Sequence, residues 1–229
     1  MITLPVDPAD LLVKDIYVVA NYDNQATLNA LTTLDQLNAL HTPEVDKTNN
    51  LDPLNGFCMS GSLVGFDFTV DAIQPATIPL ERTCAKLRIS LTFPLDPLLS
   101  TTNSYLIQRA ATYTYVMENV TNVLPQEDYF NFAAPLPLTY DGVQAYTDIT
   151  YVYEASQAPV ITLYTTVQDF TAYLPIPRRN YLYDIAMEVY EDSSLSTTRS
   201  LFSRLRTYAC HYTVTTYDEQ GRMVEKYTK

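Results

Sequence analysis

The sequence predicts an all-β protein. Three observations predict it. Residues 85–93 alternate without a break: Ala85, Leu87, Ile89, Leu91 and Phe93 are apolar, and Lys86, Arg88, Ser90 and Thr92 are polar. That period of two places one face of a strand in a core and the other in water. The composition is rich in tyrosine, with 19 Tyr beside no Trp and only 5 Gly, and Tyr, Thr, Val and Ile suit a pleated, half-buried surface. Short apolar segments also recur between proline-rich turns, the pattern of a β-sandwich.

The elements follow in chain order. Residues 15–20 (Asp-Ile-Tyr-Val-Val-Ala) read as a strand ended by Asn21, Tyr22, Asp23 and Asn24. Leu28, Leu31, Leu34, Leu37 and Leu40 recur at helical spacing and form one apolar stripe for a core. Thr33-Leu34-Asp35-Gln36 fits a capping box, so the regular helix is expected to start at Leu34. Residues 41–53 are polar, carry two prolines and read as a surface loop. Residues 63–70 read as a strand, as do residues 85–93, which Pro94 and Pro97 end.

Residues 112–120 alternate too, with Tyr113, Tyr115 and Met117 on one side. Residues 132–138 hold Pro135 and Pro137 and read as a stiff linker. A boundary there divides the chain into an N-terminal β-sandwich, 1–132, and a C-terminal one, 133–229. In the second part Ile149, Tyr151 and Tyr153 alternate with Thr150, Val152 and Glu154. Residues 160–167 and 181–190 read as further strands. Residues 208–217 and 222–227 flank Asp218-Glu219-Gln220-Gly221 and read as a terminal hairpin with Gly in a left-handed position. Residues 194–206 read as a loop or a short helix.

Length and charge exclude several classes. With 229 residues, 47% of them hydrophobic, the chain is neither disordered nor too small for a core. Its formal net charge of −12 disfavours nucleic acid and anionic membranes, which need clustered Lys and Arg. No segment approaches the eighteen or so apolar residues of a membrane helix. The start, Met1 to Pro5, has no basic n-region and no apolar h-region. It reads as a cytoplasmic chain or as one whose leader has been removed. Cys58, Cys84 and Cys210 are an odd set with no zinc spacing. They read as buried small hydrophobes, with one disulfide open in an oxidising compartment.

The search for chemistry assigns no catalytic, cofactor-binding or metal-binding residue. Cys210 and His211 are adjacent in a strand and point to opposite faces, which does not make a nucleophile–base pair. There is no Gly-x-Ser-x-Gly elbow, phosphate loop or Cys-x-x-Cys pair. Asp15 with Asp23, and Glu127 with Asp128, are carboxylates that surface solvation explains. Arg178-Arg179 reads as a strand entry whose arginines pair with acids, and Asn119-Val120-Thr121 is a formal glycosylation sequon. Tyr113, Tyr115, Tyr151, Tyr153, Tyr181 and Tyr183 offer rings for sugar stacking, although tyrosines at i, i+2 also pack sandwiches.

Six segments, in order, resemble the fimbrillin family, the subunits of type V pili. They are Ile16-Tyr17-Val18-Val19-Ala20-Asn21, then Met59-Ser60-Gly61, then the Arg-x-x-Ala-Lys of Arg82, Ala85 and Lys86. The next is Glu118-Asn119-Val120 through Pro125 and Tyr129. Tyr151-Val152-Tyr153-Glu154-Ala155 and Arg179-Asn180-Tyr181-Leu182-Tyr183-Asp184-Ile185 complete the set. All are strand and turn positions, with Ala85 expected in the core and Arg82 and Lys86 able to pair with acids.

The resemblance implies two tandem transthyretin-like sandwiches, with a short helix in the first and little room for the family's earliest strands. It implies a non-enzymatic structural subunit of a fimbria on the outer-membrane surface, exported as a lipoprotein. Assembly would be by donor-strand exchange with other pilus subunits, in a stalk, anchor or tip and adhesin role. Two other readings stand beside it. One is a carbohydrate-binding surface module built on the tyrosines and the loops at 41–53 and 193–206. The other is a hydrolase with paired carboxylates.

Overall fold

The computed structural model describes residues 12–45, 56–68, 76–92, 103–118, 129–140, 145–166, 168–192 and 208–229. Their elements, in chain order, are β1 (Val13–Ala20), α1 (Gln25–Ala30), α2 (Leu34–Asn38), β2 (Met59–Asp67), β3 (Glu81–Arg82) and β4 (Cys84–Thr92). Then come β5 (Ser104–Gln108), β6 (Ala110–Ala111), β7 (Tyr129–Phe130), β8 (Leu136–Pro137), β9 (Thr139–Tyr140) and β10 (Ala145–Tyr153). Last are β11 (Val160–Tyr164), β12 (Asp169–Tyr173), β13 (Leu182–Glu191), β14 (Tyr208–Tyr217) and β15 (Met223–Thr228). Among the described residues the protein is all-β apart from two short helices.

A six-stranded sheet in the order β15-β14-β13-β4-β10-β9 packs on a four-stranded sheet in the order β12-β11-β5-β8. Every neighbouring pair is antiparallel except β4 with β13, which is parallel. The alternation of β4 explains its place. Ala85, Leu87, Ile89 and Leu91 are fully buried while Arg88 is exposed. Tyr183, Ile185, Met187 and Val189 of β13 line the same face, with Tyr212 and Val214 of β14. Tyr105, Ile107, Ile161, Leu163, Phe170 and Ala172 meet them from the other sheet in one continuous core. Each such aliphatic side chain contributes about 1.5–3 kcal/mol by leaving water. Tyr105, wholly buried, donates its hydroxyl to Asp148 Oδ2 at 2.5 Å. Burial and that carboxylate hold its phenol far above its ordinary value.

Both large sheets draw strands from each side of residue 132. β4 lies between β10 and β13, and β5 lies between β11 and β8. The segment expected as a linker belongs to the core instead. Phe132 and Leu138 are buried, Phe132 N–H donates to Ile107 O at 3.0 Å, and Leu138 N–H donates to Asn103 O at 3.1 Å. Its Pro137 sits in β8 at a sheet edge, where a missing N–H costs no ladder bond.

β1, β2 and β3 form a separate three-stranded sheet. Beside it, Leu40, Cys58 and Val116 are the buried centre of a small cluster with Val19, Tyr22, Leu28, Leu31 and Leu37. The expected single helix is two. Asn24 caps α1 by accepting from Thr27 N–H at 3.1 Å. Thr33 caps α2 through the full capping box with Gln36. The hydroxyl-bearing pair Thr32-Thr33 favours a cap over continuation, so the helix restarts there. Leu34, expected in the apolar stripe, is 45% exposed at the head of α2.

Two other expectations change. Residues 112–118 do not form a long strand. They run alongside residues 40–45, with Thr42 N–H to Thr114 O, Val45 N–H to Thr112 O and Val116 N–H to Leu40 O, each at 2.8 Å, and one bridge between His41 and Tyr115. The start of the expected 41–53 loop is therefore an ordered extended segment. Residues 46–53, the sequon at Asn119, the Glu127–Asp128 pair and the 194–206 segment lie outside the described residues.

Candidate functional site

Three of the six resemblance motifs meet at one residue. Arg179 is buried, and its guanidinium pairs with Glu154 at 2.7 Å. It also donates to Val116 O at 3.2 Å, Tyr115 O at 3.1 Å and Ser60 Oγ at 3.4 Å. It thus ties β2, the 112–118 segment and the end of β10 to the entry of β13. Asn180, next in sequence, adopts the left-handed conformation (φ 59) and donates its N–H to Cys84 O at 2.9 Å. Asn tolerates that conformation better than most residues. Its Oδ1 accepts from Arg82 at 3.3 Å, so Arg82 meets an amide where an acid was expected. Ala85 faces the core as expected. Gly61 passes so close to Pro79 that an added Cβ would lie 2.1 Å from the Pro79 carbonyl oxygen.

Arg178 and Arg179 do not act together. Arg178 is exposed and lies 5.8 Å from the centroid of the Tyr181 ring. The other tyrosines pack. Tyr113 and Tyr115 hold His41 at 4.6 and 5.6 Å, Tyr151 packs on Phe57 at 4.4 Å, and Tyr153 and Tyr183 are buried. His211 stacks on Tyr190 at 4.6 Å, away from the Cys210 side chain, which packs against the core. Burial pushes the Cys58 and Cys210 thiols up to about 11 and Cys84 to about 12. They are thiols and not nucleophilic thiolates at neutral pH. Asp15 accepts from Gly65 N–H at 2.8 Å at the β1–β2 bulge. Among the described residues no group of three His, Cys, Asp or Glu is placed to hold a metal ion. None of their helices is long and apolar enough to cross a membrane.

The features that bear on assembly are the sheet edges. β14 is integral: it pairs with β13 over all ten residues and buries Tyr212, Val214 and Thr216. β15 is the outermost strand, and Met223 and Val224 are 63% and 54% exposed. Its turn is fixed by Asp218, which accepts from Gln220 N–H at 3.0 Å and Arg222 N–H at 2.8 Å and pairs with the Arg222 side chain at 2.8 Å. Desolvation acts against it, yet those bonds hold the Asp218 carboxyl below its ordinary value. Gly221 takes the left-handed position (φ 76) expected of it.

The edge of the opposite sheet is closed by the same hairpin. Tyr212 Oη accepts from Tyr173 N–H at 3.3 Å, and Tyr227 Oη donates to Tyr173 O. Lys229 Nζ lies 5.8 Å from the Tyr173 ring centroid. These three residues carry no local signal in the sequence, because their partner is 39 or more positions away. β1 is an edge of a different kind. Among the described residues it is hydrogen-bonded to β2 alone, and Ile16, Tyr17, Val18 and Val19 are all half-buried.

No family model and no curated protein sequence matches the chain. Solved structures do. A candidate cell adhesion protein from Bacteroides eggerthii superposes with a TM-score of 0.58 at 13% identity, over 86% of this chain and 76% of that one. The tip fimbrial protein Mfa3 from Porphyromonas gingivalis, with a C-terminal truncation, gives 0.55 at 16% identity, over 87% and 79%. A fimbrial assembly protein from Parabacteroides distasonis gives 0.50 at 15% identity, over 94% and 71%. The chain has the fold of these fimbrial and cell-adhesion proteins, all-β as the sequence predicted.

Proposed function

We propose that this chain is a non-enzymatic structural subunit of a cell-surface fimbria, of the tip class, exported as a lipoprotein precursor and joined to other pilus subunits by strand addition. The observation that carries the tip assignment is the C-terminal hairpin. A subunit that donated the β14–β15 segment would have to release it. Here β14 is woven between β13 and β15 and contributes to the main core. Likeness to a tip fimbrial protein and a fimbrial assembly protein supports the fimbrial reading. The edge of β1, apolar and hydrogen-bonded on one side, is the place for an incoming strand, with main-chain bonds supplying affinity and alternate side chains specificity.

Immunogold labelling with an antibody to this chain tests the class. Label confined to fimbrial ends is the expected result. Label along the shaft overturns the tip assignment, and unlabelled fimbriae overturn the subunit reading. Strand addition is tested separately by a cysteine placed at Val18 in β1. Crosslinking to another pilus subunit is expected there and not from a cysteine placed at Tyr173 in the closed edge of β12.

A further inference from the structure

A polar cleft of about 630 Å³ opens beside the Arg179 node. Its walls come from β3, the 112–118 segment, the end of β10, the entry of β13 and the β14–β15 turn. The volume is that of a small-molecule site. Its back wall is rigid, since the buried Arg179 is fixed by Glu154 and by two main-chain carbonyls.

The lining is chemically mixed. Arg178 and Arg222 offer guanidinium donors, Glu81 and Glu219 offer carboxylate acceptors, and Tyr115 and Tyr181 offer half-buried rings. Charges of both signs within one cleft repel part of any polyanion and part of any polycation. A ligand bearing hydroxyls, each both donor and acceptor, satisfies both sets, and its apolar ring face suits a tyrosine. Burial, then the nearness of Glu219 and Glu118, raises the Glu81 carboxyl above its ordinary value.

We propose that this cleft binds a neutral oligosaccharide, with Tyr181 and Tyr115 against sugar faces and Arg178, Arg222, Glu81 and Glu219 on the hydroxyls. The inference goes beyond the fimbrial reading and does not depend on how the chain assembles.

The test is calorimetric titration of the full chain with lactose, mannotriose and chitotriose, with sialyllactose as the acidic comparison. Binding of at least one neutral probe is expected. Arg178→Ala and Glu219→Gln should each weaken it about tenfold or more, the scale of a lost hydrogen bond to a charged group. Both side chains are exposed, so neither change threatens the fold. Ile149→Ala, on an exposed strand position outside the cleft, should leave binding unchanged. No binding of any neutral probe, binding of sialyllactose alone, or neutral binding undiminished in both variants overturns the proposal.

Discussion

Arg179 and Glu154 form an ion pair at 2.7 Å in which the guanidinium side chain is 4% exposed and the carboxylate 26%. The asymmetry decides what each contributes. Glu154 keeps part of its water, whereas Arg179 has exchanged its own for Tyr115 O, Val116 O and Ser60 Oγ. Removing the arginine strands several acceptors at once. Arg179→Ala is expected to destabilise the protein by about 3 kcal/mol, the lower end for a broken buried pair because Glu154 stays partly hydrated. Glu154→Gln should cost less. The midpoint of urea unfolding measures both, and equal effects would mean that the pair, and not the carbonyl contacts, carries the stability.

Gly61 leaves no room for a side chain. Its hypothetical Cβ meets the Pro79 carbonyl oxygen at 2.1 Å, a backbone atom that cannot rotate away. Gly61→Ala should therefore separate β2 from the Pro79 segment and cost about 1–3 kcal/mol, the usual range for forced overpacking. Gly221→Ala has open space and pays only for its left-handed φ. Thermal unfolding should rank Gly61→Ala as the more damaging change.

Tyr227 donates its hydroxyl to the main chain of β12. Tyr227→Phe keeps the ring against Tyr212, at 6.4 Å centroid to centroid, and deletes only the bond. A loss of about 0.5–1.5 kcal/mol is expected. A freed carbonyl on an edge strand also invites pairing with another chain. Light scattering at rising concentration should show more self-association for the variant than for the parent. Unchanged association would mean that the ring alone closes the edge.

Alkaline pH should unfold the protein. Burial raises Cys58 and Cys210 from 9.0 to about 11, Cys84 from 9.0 to about 12, and Tyr153 and Tyr183 from 10.0 to about 12. Below pH 9 these groups are protonated in folded and unfolded chains alike, so they add no slope. Above it the unfolded chain loses protons that the folded chain keeps, and stability falls until about pH 12. Melting temperature measured from pH 8 to 12 should drop steadily from about pH 9. At pH 8 the three thiols should react with a disulfide reagent far more slowly than in denaturant.

Local chemistry made much of this protein legible. The apolar face of β4, the strand positions of β10, β13 and β14, the β14–β15 turn with Gly221 and the Thr33–Gln36 capping box are each written in a few consecutive residues. A strand's period of two and a cap's hydrogen bonds need only near neighbours, so sequence suffices for them. The motif residues Ser60, Glu154 and Arg179 were visible as a set, but the meeting of the first two at the Arg179 guanidinium was not.

Tertiary structure alone decided the rest. Pairing of β4 with β13 joins residues 96 positions apart, and an alternating strand fits any partner with a matching apolar face. The proline-rich segment at 132–138 reads locally as a linker. It became an edge strand because Phe132 and Leu138 found a core built from distant strands. The tyrosine hydroxyls that close β12 lie on another sheet's hairpin. By itself the sequence determined the long strands β4, β10, β13 and β14 and the apolar face of β4. Which strands meet, which edges stay open and which arginine is buried depended on long-range packing, whose energy belongs to pairs of surfaces and not to either surface alone.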